Sequence, residues 1–313
     1  MFSDSYSIDS GNRFIKAIDP NGTITKTPAH LKRLDTDVQT KGTNESPLVT
    51  VMEGTKKVSY LVGKKAQRQG GASNLHEQDK MTQLKYFLLS TIQYPMLEMN
   101  KLLIAVPDAR FKDHQALLQD LVGTHQYLRN GKQQVVKIRS VQLVDEARAA
   151  YLLGVSQNLF GLPNELNAVW SPGGGDFCAS LLMDGEVVEG SRLVIKKGTL
   201  ALANMIAAKK KAQLSTNLDP IEIMDSIEDG TYRTYKGGDF SDIFDECLAK
   251  WIKEITGEIG INWKEYLPNI RQILIVGGSA TLFHSYREGL KNKAKCIICP
   301  NAQEAIVLGL KFA

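Results

Sequence analysis

Three glycine-bearing turns could bind phosphate in this 313-residue sequence, because each follows a predicted strand. They lie at residues 9–16, 170–177 and 273–280. Glycine tolerates positive φ and lets the backbone approach a ligand closely, so successive N–H groups can form a concave nest for phosphate oxygens. For predicting a phosphate site, the position of a turn directly after a strand is more informative than the number of glycines in the turn. These turns are therefore the candidate sites of chemistry.

The elements that must hold the turns occur in an order that repeats. Each copy has a strand, a glycine-bearing turn, a second strand and a hairpin turn, which predicts two related sheets. Asn-Gly and Asp-Gly favour two-residue hairpins because both central positions need positive φ. The first copy comprises 6–9, 10–12, 14–18 and Asn21-Gly22; the second comprises 167–170, 173–175, 177–183 and Asp184-Gly185.

Further strands and helices follow each copy and would cover the faces of its sheet, so the class is α/β. Gly154 is expected to end one of these helices. Two polar stretches, 27–74 and 209–238, look less regular and are interpreted as smaller outer subdomains. The strands are predicted at 101–106, 135–144, 272–276 and 295–299, and the helices at 111–121, 146–153, 243–255, 281–290 and 303–310.

The first turn reads Asp9-Ser10-Gly11-Asn12-Arg13-Phe14-Ile15-Lys16 and resembles the phosphate-1 motif of the actin and sugar-kinase superfamily. The resemblance implies that Asp9 orders water on Mg²⁺ and that Lys16 neutralises the β- or γ-phosphate. It also implies that the amides of Ser10, Gly11 and Asn12 hold phosphate. A plain hairpin with an exposed lysine is the alternative interpretation.

The second turn, Trp170-Ser171-Pro172-Gly173-Gly174-Gly175-Asp176-Phe177, resembles the phosphate-2 motif. The family usually opens this loop with Asp, whereas Ser171 stands there and Asp176 takes a position often held by Thr. Either Asp176 contacts the hydrated metal through water, or hydrolysis is slower than in relatives. A glycine-rich turn that binds no ligand is the alternative.

The third turn, Ile273-Leu274-Ile275-Val276-Gly277-Gly278-Ser279-Ala280, resembles the adenosine motif. The resemblance implies that Gly277, Gly278 and Ser279 contact the nucleotide, helped by the N-terminus of the following helix. A Rossmann site is disfavoured, because no GxGxxG is followed by an acidic residue about 20 positions later, and no GxxxxGK[ST] occurs.

Two segments resemble the connecting helices of the superfamily, at 144–151 and 301–309, and their alanines would let the helices cross closely. By this match Glu146 takes the place of the acidic residue that orients the attacking water. The alternative is a first-turn glutamate stabilised by the helix dipole.

Together the motifs cover almost the whole chain and resemble the actin-like ATPase superfamily, nearest to ParM-type plasmid-partitioning actins. Residues 61–66 and 105–107 add local resemblance to that type. The implied fold is actin-like (ribonuclease H-like), with duplicated domains and a nucleotide cleft between them. The implied domains are 1–154 plus 300–313, with an outer subdomain at about 27–80, and 155–299, with an outer subdomain at about 196–262.

The resemblance implies a filament protein that adds subunits head to tail, binds ATP and Mg²⁺, and hydrolyses ATP to control filament turnover. Catalysis would fall to Glu146 and Asp9, and a DNA-binding adaptor protein would link filaments to plasmid or other DNA. Two alternatives stay open. One is a nucleotide-binding scaffold with little hydrolysis, which Ser171 favours, and the other is a small-molecule kinase of the same superfamily.

The composition limits the binding partners and the location that we expect for this protein. The formal charge of +4 comes from 38 basic and 34 acidic residues spread along the chain, so no direct nucleic-acid binding is expected, and the lysine run at 209–211 is interpreted as a solvated helix face. No apolar stretch reaches the roughly 20 residues of a membrane span, so we expect a cytoplasmic protein without membrane association. The four cysteines are interpreted as buried free thiols, with Cys296 and Cys299 in a core strand rather than a zinc or redox site.

Overall fold

The computed structural model describes residues 2–34, 40–73, 80–107, 109, 118–214, 217–284 and 295–313. The chain forms two compact units: unit 1 comprises Met1–Ala149 and Ile306–Ala313, and unit 2 comprises Ala150–Ala305. Among the described residues, no helix is both long and apolar enough to cross a bilayer.

Unit 1 is built on a mixed sheet. The strand β1 pairs antiparallel with β2 and parallel with β8, and β11 lies parallel to β8 on its other side. Apolar residues on these strands, such as Ile8, Ile15 and Ile104, are fully buried. The strands are β1 (Phe2–Ser10), β2 (Phe14–Ile18), β3 (Ile24–Pro28), β4 (His30–Leu34), β5 (Leu48–Glu53), β6 (Lys56–Val62), β7 (Ala72–Ser73), β8 (Met96–Val106), β9 (Gly123–Arg129), β10 (Lys132–Ile138) and β11 (Val141–Asp145).

The sheet of unit 1 continues beyond β8 through β10, β9, β5, β6, β4 and β7. Asn130 and Gly131 both have positive φ and connect β9 to β10, as the two-residue hairpin requires. The helices named wholly within the described part of unit 1 are α1 (Lys64–Arg68) and α2 (Lys80–Thr91).

Unit 2 has a smaller sheet and a helical layer. Its strand order is β14-β13-β12-β16-β17, with β15 also paired to β13. The indoles of Trp251 and Trp263 are buried against this sheet's core. The strands are β12 (Asn167–Pro172), β13 (Phe177–Met183), β14 (Glu186–Val187), β15 (Leu193–Ile195), β16 (Gln272–Ile275) and β17 (Lys295–Ile298). The helices are α3 (Glu146–Ser156), which begins in unit 1, α4 (Thr199–Leu214), α5 (Pro220–Glu228), α6 (Ser241–Asn262) and α7 (Ala305–Gly309), which ends in unit 1.

The two units share a topology. The order β3-β2-β1-β8-β11 in unit 1 matches β14-β13-β12-β16-β17 in unit 2 strand for strand, with the same antiparallel and parallel pairings. A helix follows the last strand of each set, α3 after β11 and α7 after β17. The predicted α/β class with two duplicated domains is therefore confirmed.

Several predicted element limits are wrong, for physical reasons. Helix α3 continues through Gly154 because this glycine serves packing: a Cβ there would lie 2.6 Å from the Phe160 ring and 2.9 Å from Leu274. Helix α6 likewise continues through Gly257 to Asn262. The strand predicted at 135–144 is two strands, β10 and β11. The predicted helices at 111–121 and 281–290 lie largely outside the described residues.

The stretch at 209–238 is more regular than expected. It contains the end of α4 and the whole of α5, which Asp219 caps by accepting a hydrogen bond from the Ile221 N–H at 2.8 Å. The lysine run is not a solvated face throughout, since Lys210 is only 5% exposed and its Nζ lies 2.6 Å from Asp242 Oδ1 on α6.

Candidate functional site

The turn after β1 contains a buried charge pair. Asp9 and Lys16 face each other across the antiparallel ladder, and Lys16 Nζ donates to Asp9 Oδ2 at 2.8 Å. Asp9 is 2% exposed and Lys16 is 7% exposed, so the interpretation as a hairpin with an exposed lysine is wrong. Burying two charges is expensive even when they pair, so the pair is weak evidence for a role in stability.

The same turn leaves a polar atom unpaired. Ser10 Oγ is buried and has no hydrogen-bond partner among the described residues. A buried hydroxyl without a partner is unfavourable unless a ligand or water meets it. Gly11 is sterically required, since a Cβ there would lie 2.8 Å from the Phe14 carbonyl oxygen. The turn thus presents an unpaired hydroxyl beside a charge pair in a tight backbone curve.

Parallel pairing brings Asp145 and Glu146 to the same sheet edge as Asp9. Asp9 lies opposite Ala105 on β8, and Asp145 lies opposite Val106. Glu146 is the first residue of α3 and is half-buried. Asp145 Oδ1 accepts a hydrogen bond from the Ala109 N–H at 3.4 Å. Sequence analysis did not single out Asp145.

In unit 2 the turn at 173–176 is held by the start of α4. The N–H groups of Gly198, Thr199 and Leu200 donate to the carbonyls of Gly175, Gly173 and Gly174, at 3.0, 3.0 and 2.8 Å. Because these carbonyls face α4, we infer that the Gly174 and Gly175 amides, which make no backbone–backbone hydrogen bond within the described part of the chain, can receive an anion.

Gly198 was missed by sequence reasoning, although it is as constrained as the loop glycines. A Cβ on Gly198 would lie 2.5 Å from the Gly174 carbonyl oxygen and 2.6 Å from the Asp176 nitrogen. The available signal was Gly198-Thr199 directly before the apolar run of α4, a pattern typical of a helix start. Nothing in the sequence indicated which loop that helix start would contact.

The turn at 277–279 lies against the end of β12. Gly277 has φ of +91°, and a Cβ there would lie 2.9 Å from the Pro172 carbonyl oxygen. The same carbonyl accepts a hydrogen bond from the Ser279 N–H at 3.2 Å, and Ser279 Oγ is hydrogen-bonded to Thr199 Oγ1. Parallel pairing of β12 and β16 therefore places the second and third predicted turns side by side within unit 2.

Asp176 has an exposed partner. Its Oδ1 lies 3.1 Å from Lys196 Nζ, and the lysine side chain is 80% exposed. An exposed ion pair in that position contributes little to stability. Ser171 faces Cys178 across the ladder, where the first turn has Asp9 facing Lys16.

Helix α7 crosses α3 at very close range in unit 1. A Cβ on Gly309 would lie 1.8 Å from the Ala149 carbonyl oxygen, so only glycine fits. Ala149 is fully buried, as are Ala150 and Ala305. The small residues at this crossing explain how the helix that carries Glu146 is fixed.

Residues 7–147 match the family model described as the actin-like proteins N-terminal domain. The whole chain also resembles solved structures. An archaeal actin homologue has 14% identity and a TM-score of 0.81, covering 98% of both chains. A subunit of a 15-stranded ParM filament from Clostridium botulinum has 15% identity and a TM-score of 0.76, covering 99% of this chain and 98% of the other.

A third similar structure is Bacillus thuringiensis ParM with ATP, at 16% identity and a TM-score of 0.69, covering 98% of this chain and 96% of the other. No curated protein matches the sequence. The fold is therefore actin-like, and residues 7–147 match the model of an actin-like N-terminal domain. The resemblance to actin-like proteins near the ParM type is confirmed.

Proposed function

We propose that this chain is a nucleotide-switched filament protein that binds and hydrolyses ATP. The observation that carries the proposal is the buried Asp9–Lys16 pair beside the unpaired Ser10 hydroxyl, in a turn whose backbone only glycine allows. Charge, hydroxyl and close backbone approach are what recognition of a phosphate chain needs.

Each predicted residue has a role in this proposal. Lys16 neutralises phosphate charge, while Ser10 and the amides of Gly11 and Asn12 contact phosphate oxygens. In the loop 173–175 of unit 2 the amides of Gly174 and Gly175 hold the terminal phosphate, and Gly277, Gly278 and Ser279 contact the adenosine. The proposed domain limits remain 1–154 plus 300–313 and 155–299.

The donor set of the first turn fits a hydrated Mg²⁺. Carboxylates contacting the ion through water are typical of Mg²⁺ sites that also use substrate phosphates. Asp9 would hold such a water, and Asp176 would contribute a second one. When bound, the metal neutralises charge that develops on the phosphate oxygens. Glu146 orients the attacking water from the start of α3, and positioning of this kind is most of what phosphoryl transfer to water requires.

Filament formation and DNA segregation extend the proposal. Similar structures include a ParM filament, which supports self-assembly of subunits, and ParM with ATP, which supports nucleotide binding. Head-to-tail addition of subunits is part of the proposal. A DNA-binding adaptor protein would connect the filament to its cargo. A second candidate is a nucleotide-binding scaffold that hydrolyses ATP slowly, and Ser171 in place of the usual carboxylate favours it.

Phosphate release at rising protein concentration tests the proposal. With ATP and Mg²⁺, release should begin above a critical concentration, and light scattering should rise at the same concentration. A passive scaffold would scatter light without releasing phosphate. A small-molecule kinase would release no phosphate and would consume ATP only with a second substrate. Either result would overturn the proposed ATPase cycle.

A further inference from the structure

Thr199 connects the two ligand-binding loops proposed in unit 2. Its N–H donates to the Gly173 carbonyl at 3.0 Å, and its Oγ1 lies 3.2 Å from the same oxygen. The same Oγ1 is hydrogen-bonded to Ser279 Oγ in the loop after β16. Thr199 is 2% exposed, so solvent cannot replace these bonds at low cost.

The hydroxyl protons can be assigned by counting. Each hydroxyl has one proton to donate. The arrangement that uses both protons has Ser279 Oγ–H donating to Thr199 Oγ1, and Thr199 Oγ1–H donating to the Gly173 carbonyl. In this arrangement Ser279 Oγ keeps a lone pair for a ligand donor, such as a ribose hydroxyl. The chain of bonds therefore ties the adenosine loop to the phosphate loop through one side chain.

We propose that Thr199 is a positioning residue that locks the loop 173–176 to the loop 277–279, so that both act on one nucleotide together. This inference rests on the proposed ATP binding. Its consequence is selective: a ligand that engages both loops depends on the lock, while a ligand that lacks the terminal phosphate depends on it less.

Helix α4 connects the loop 173–176 to helix α6 of unit 2. The helix begins at Thr199 and spans 16 residues, and near its other end Lys209 and Lys210 pair with Glu246 and Asp242 on α6. The loop 173–176 is thereby fastened to a helical layer rather than to a mobile connection. Thr199 can therefore hold the loop in place, because it is the first residue of a helix whose other end is paired to α6.

The test compares ATP and ADP affinity in the full-length protein with Mg²⁺, using Thr199→Val, Thr199→Ser and a matched control. Valine keeps the shape but removes the hydroxyl, and serine keeps the hydroxyl. Thr256→Val is the control, because in the part of the chain that the structure describes the Thr256 hydroxyl bonds only to its own helix, at the Ile252 and Lys253 carbonyls. Circular dichroism verifies that each variant folds.

Thr199→Val should weaken ATP binding about threefold to tenfold, the size expected for losing a buried hydrogen bond. ADP binding should weaken less, so the ratio of ATP to ADP affinity falls. Thr199→Ser should restore the ratio, and Thr256→Val should leave it unchanged. If Thr199→Val does not fold, Thr199→Ala is read in the same way.

The possible failures are distinguishable. If the wild-type protein binds neither nucleotide, the proposed function is overturned and this inference with it. If the wild-type protein binds both and Thr199→Val keeps the wild-type ratio, only the lock is overturned. An equal loss for both nucleotides that serine does not rescue would also overturn it, since it would indicate general damage to unit 2.

Discussion

The turns after β1 and β12 have the same backbone plan but different side chains. Each strand pairs antiparallel with the next, and the last pairs, Ser10 with Ile15 and Pro172 with Phe177, each enclose four residues. One pair further in, Asp9 faces Lys16 in unit 1, whereas Ser171 faces Cys178 in unit 2.

The difference indicates that the two related units contribute different chemical groups. Unit 1 concentrates buried charge at its turn, while unit 2 offers glycine amides fastened by α4. Charge neutralisation and water activation need side chains, whereas orientation of a phosphate can be left to backbone amides. We therefore expect variants in unit 1 to affect chemistry and variants in the loops of unit 2 to affect positioning.

The largest effect should come from Glu146→Ala. If Glu146 orients the attacking water, turnover should fall about 10² to 10⁴-fold while ATP affinity hardly changes, because the group acts mainly in the transition state. Filaments should still assemble with ATP and should disassemble late. Phosphate release and nucleotide titration measure the two quantities separately.

The control for this variant is Glu45→Ala, an exposed glutamate of the same unit. It should leave both turnover and affinity unchanged. Wild-type phosphate release in Glu146→Ala would refute the catalytic role. A joint loss of stability and nucleotide binding would instead favour the first-turn glutamate stabilised by the helix dipole, which alone is worth about 0.3 to 1 kcal/mol.

The second-largest effect should come from Lys16→Ala, which tests the role of the buried charge in unit 1. Losing a charge-assisted contact costs about 1.5 to 3 kcal/mol, so ATP affinity should fall on the order of tenfold to a hundredfold. Cys178→Ala changes the corresponding position of unit 2 and should leave affinity within about twofold. Equal losses of ATP affinity in Lys16→Ala and Cys178→Ala would contradict the proposed difference between the two turns.

Lys16→Ala also leaves Asp9 buried without its partner, which can lower stability by about 3 to 5 kcal/mol. The double variant Asp9→Asn with Lys16→Met removes both charges together and should retain more stability than Lys16→Ala. It should still bind ATP poorly. Tight ATP binding by a stable, uncharged double variant would mean that the pair serves folding alone.

A smaller effect should follow Gly277→Ala in unit 2. Positive φ strains alanine by about 1 to 3 kcal/mol, and the Cβ would also lie 2.9 Å from the Pro172 carbonyl oxygen. Gly54→Ala is the matched control, because Gly54 also has positive φ but open space around it. Urea unfolding should show a larger loss for Gly277→Ala, and equal losses would remove the argument for close packing between the two loops.

The smallest effect concerns a carboxylate outside both turns. Tyr60 and Tyr86 hydroxyls donate to Glu53 Oε1 at 2.6 and 2.7 Å and hold the pKa of the Glu53 carboxyl below its usual 4.5. A lowered folded-state pKa gives stability that is present above pH 4.5 and is lost as pH falls through the folded value.

Glu53→Gln should therefore flatten the acid side of the stability profile without changing ATP affinity at neutral pH. Thermal unfolding between pH 3 and pH 7, with Glu45→Gln as the exposed control, checks the slope. An unchanged slope would mean that the two tyrosine hydroxyls do not favour the charged carboxyl.

Local signals made much of this molecule predictable from sequence. Strand β2 was predicted at its observed limits, and the glycine turn between β1 and β2 is readable from neighbouring residues alone. The unpaired state of the buried Ser10 hydroxyl, the Gly198 contact and the Thr199–Ser279 hydrogen bond depend on residues far apart in the chain, so no local pattern reveals them. Gly154 was misread because a packing glycine and a helix-ending glycine look alike in sequence.

Thermal unfolding with and without Mg-ATP tests the central claim most directly, because a ligand that binds only the folded chain must raise its stability. At about 100 times the Kd, ATP should stabilise the wild-type protein by roughly 2.7 kcal/mol, and the same ATP concentration should shift the melting temperature of Lys16→Ala much less. Cys178→Ala should shift like the wild type. No shift with any purine nucleotide would contradict the account.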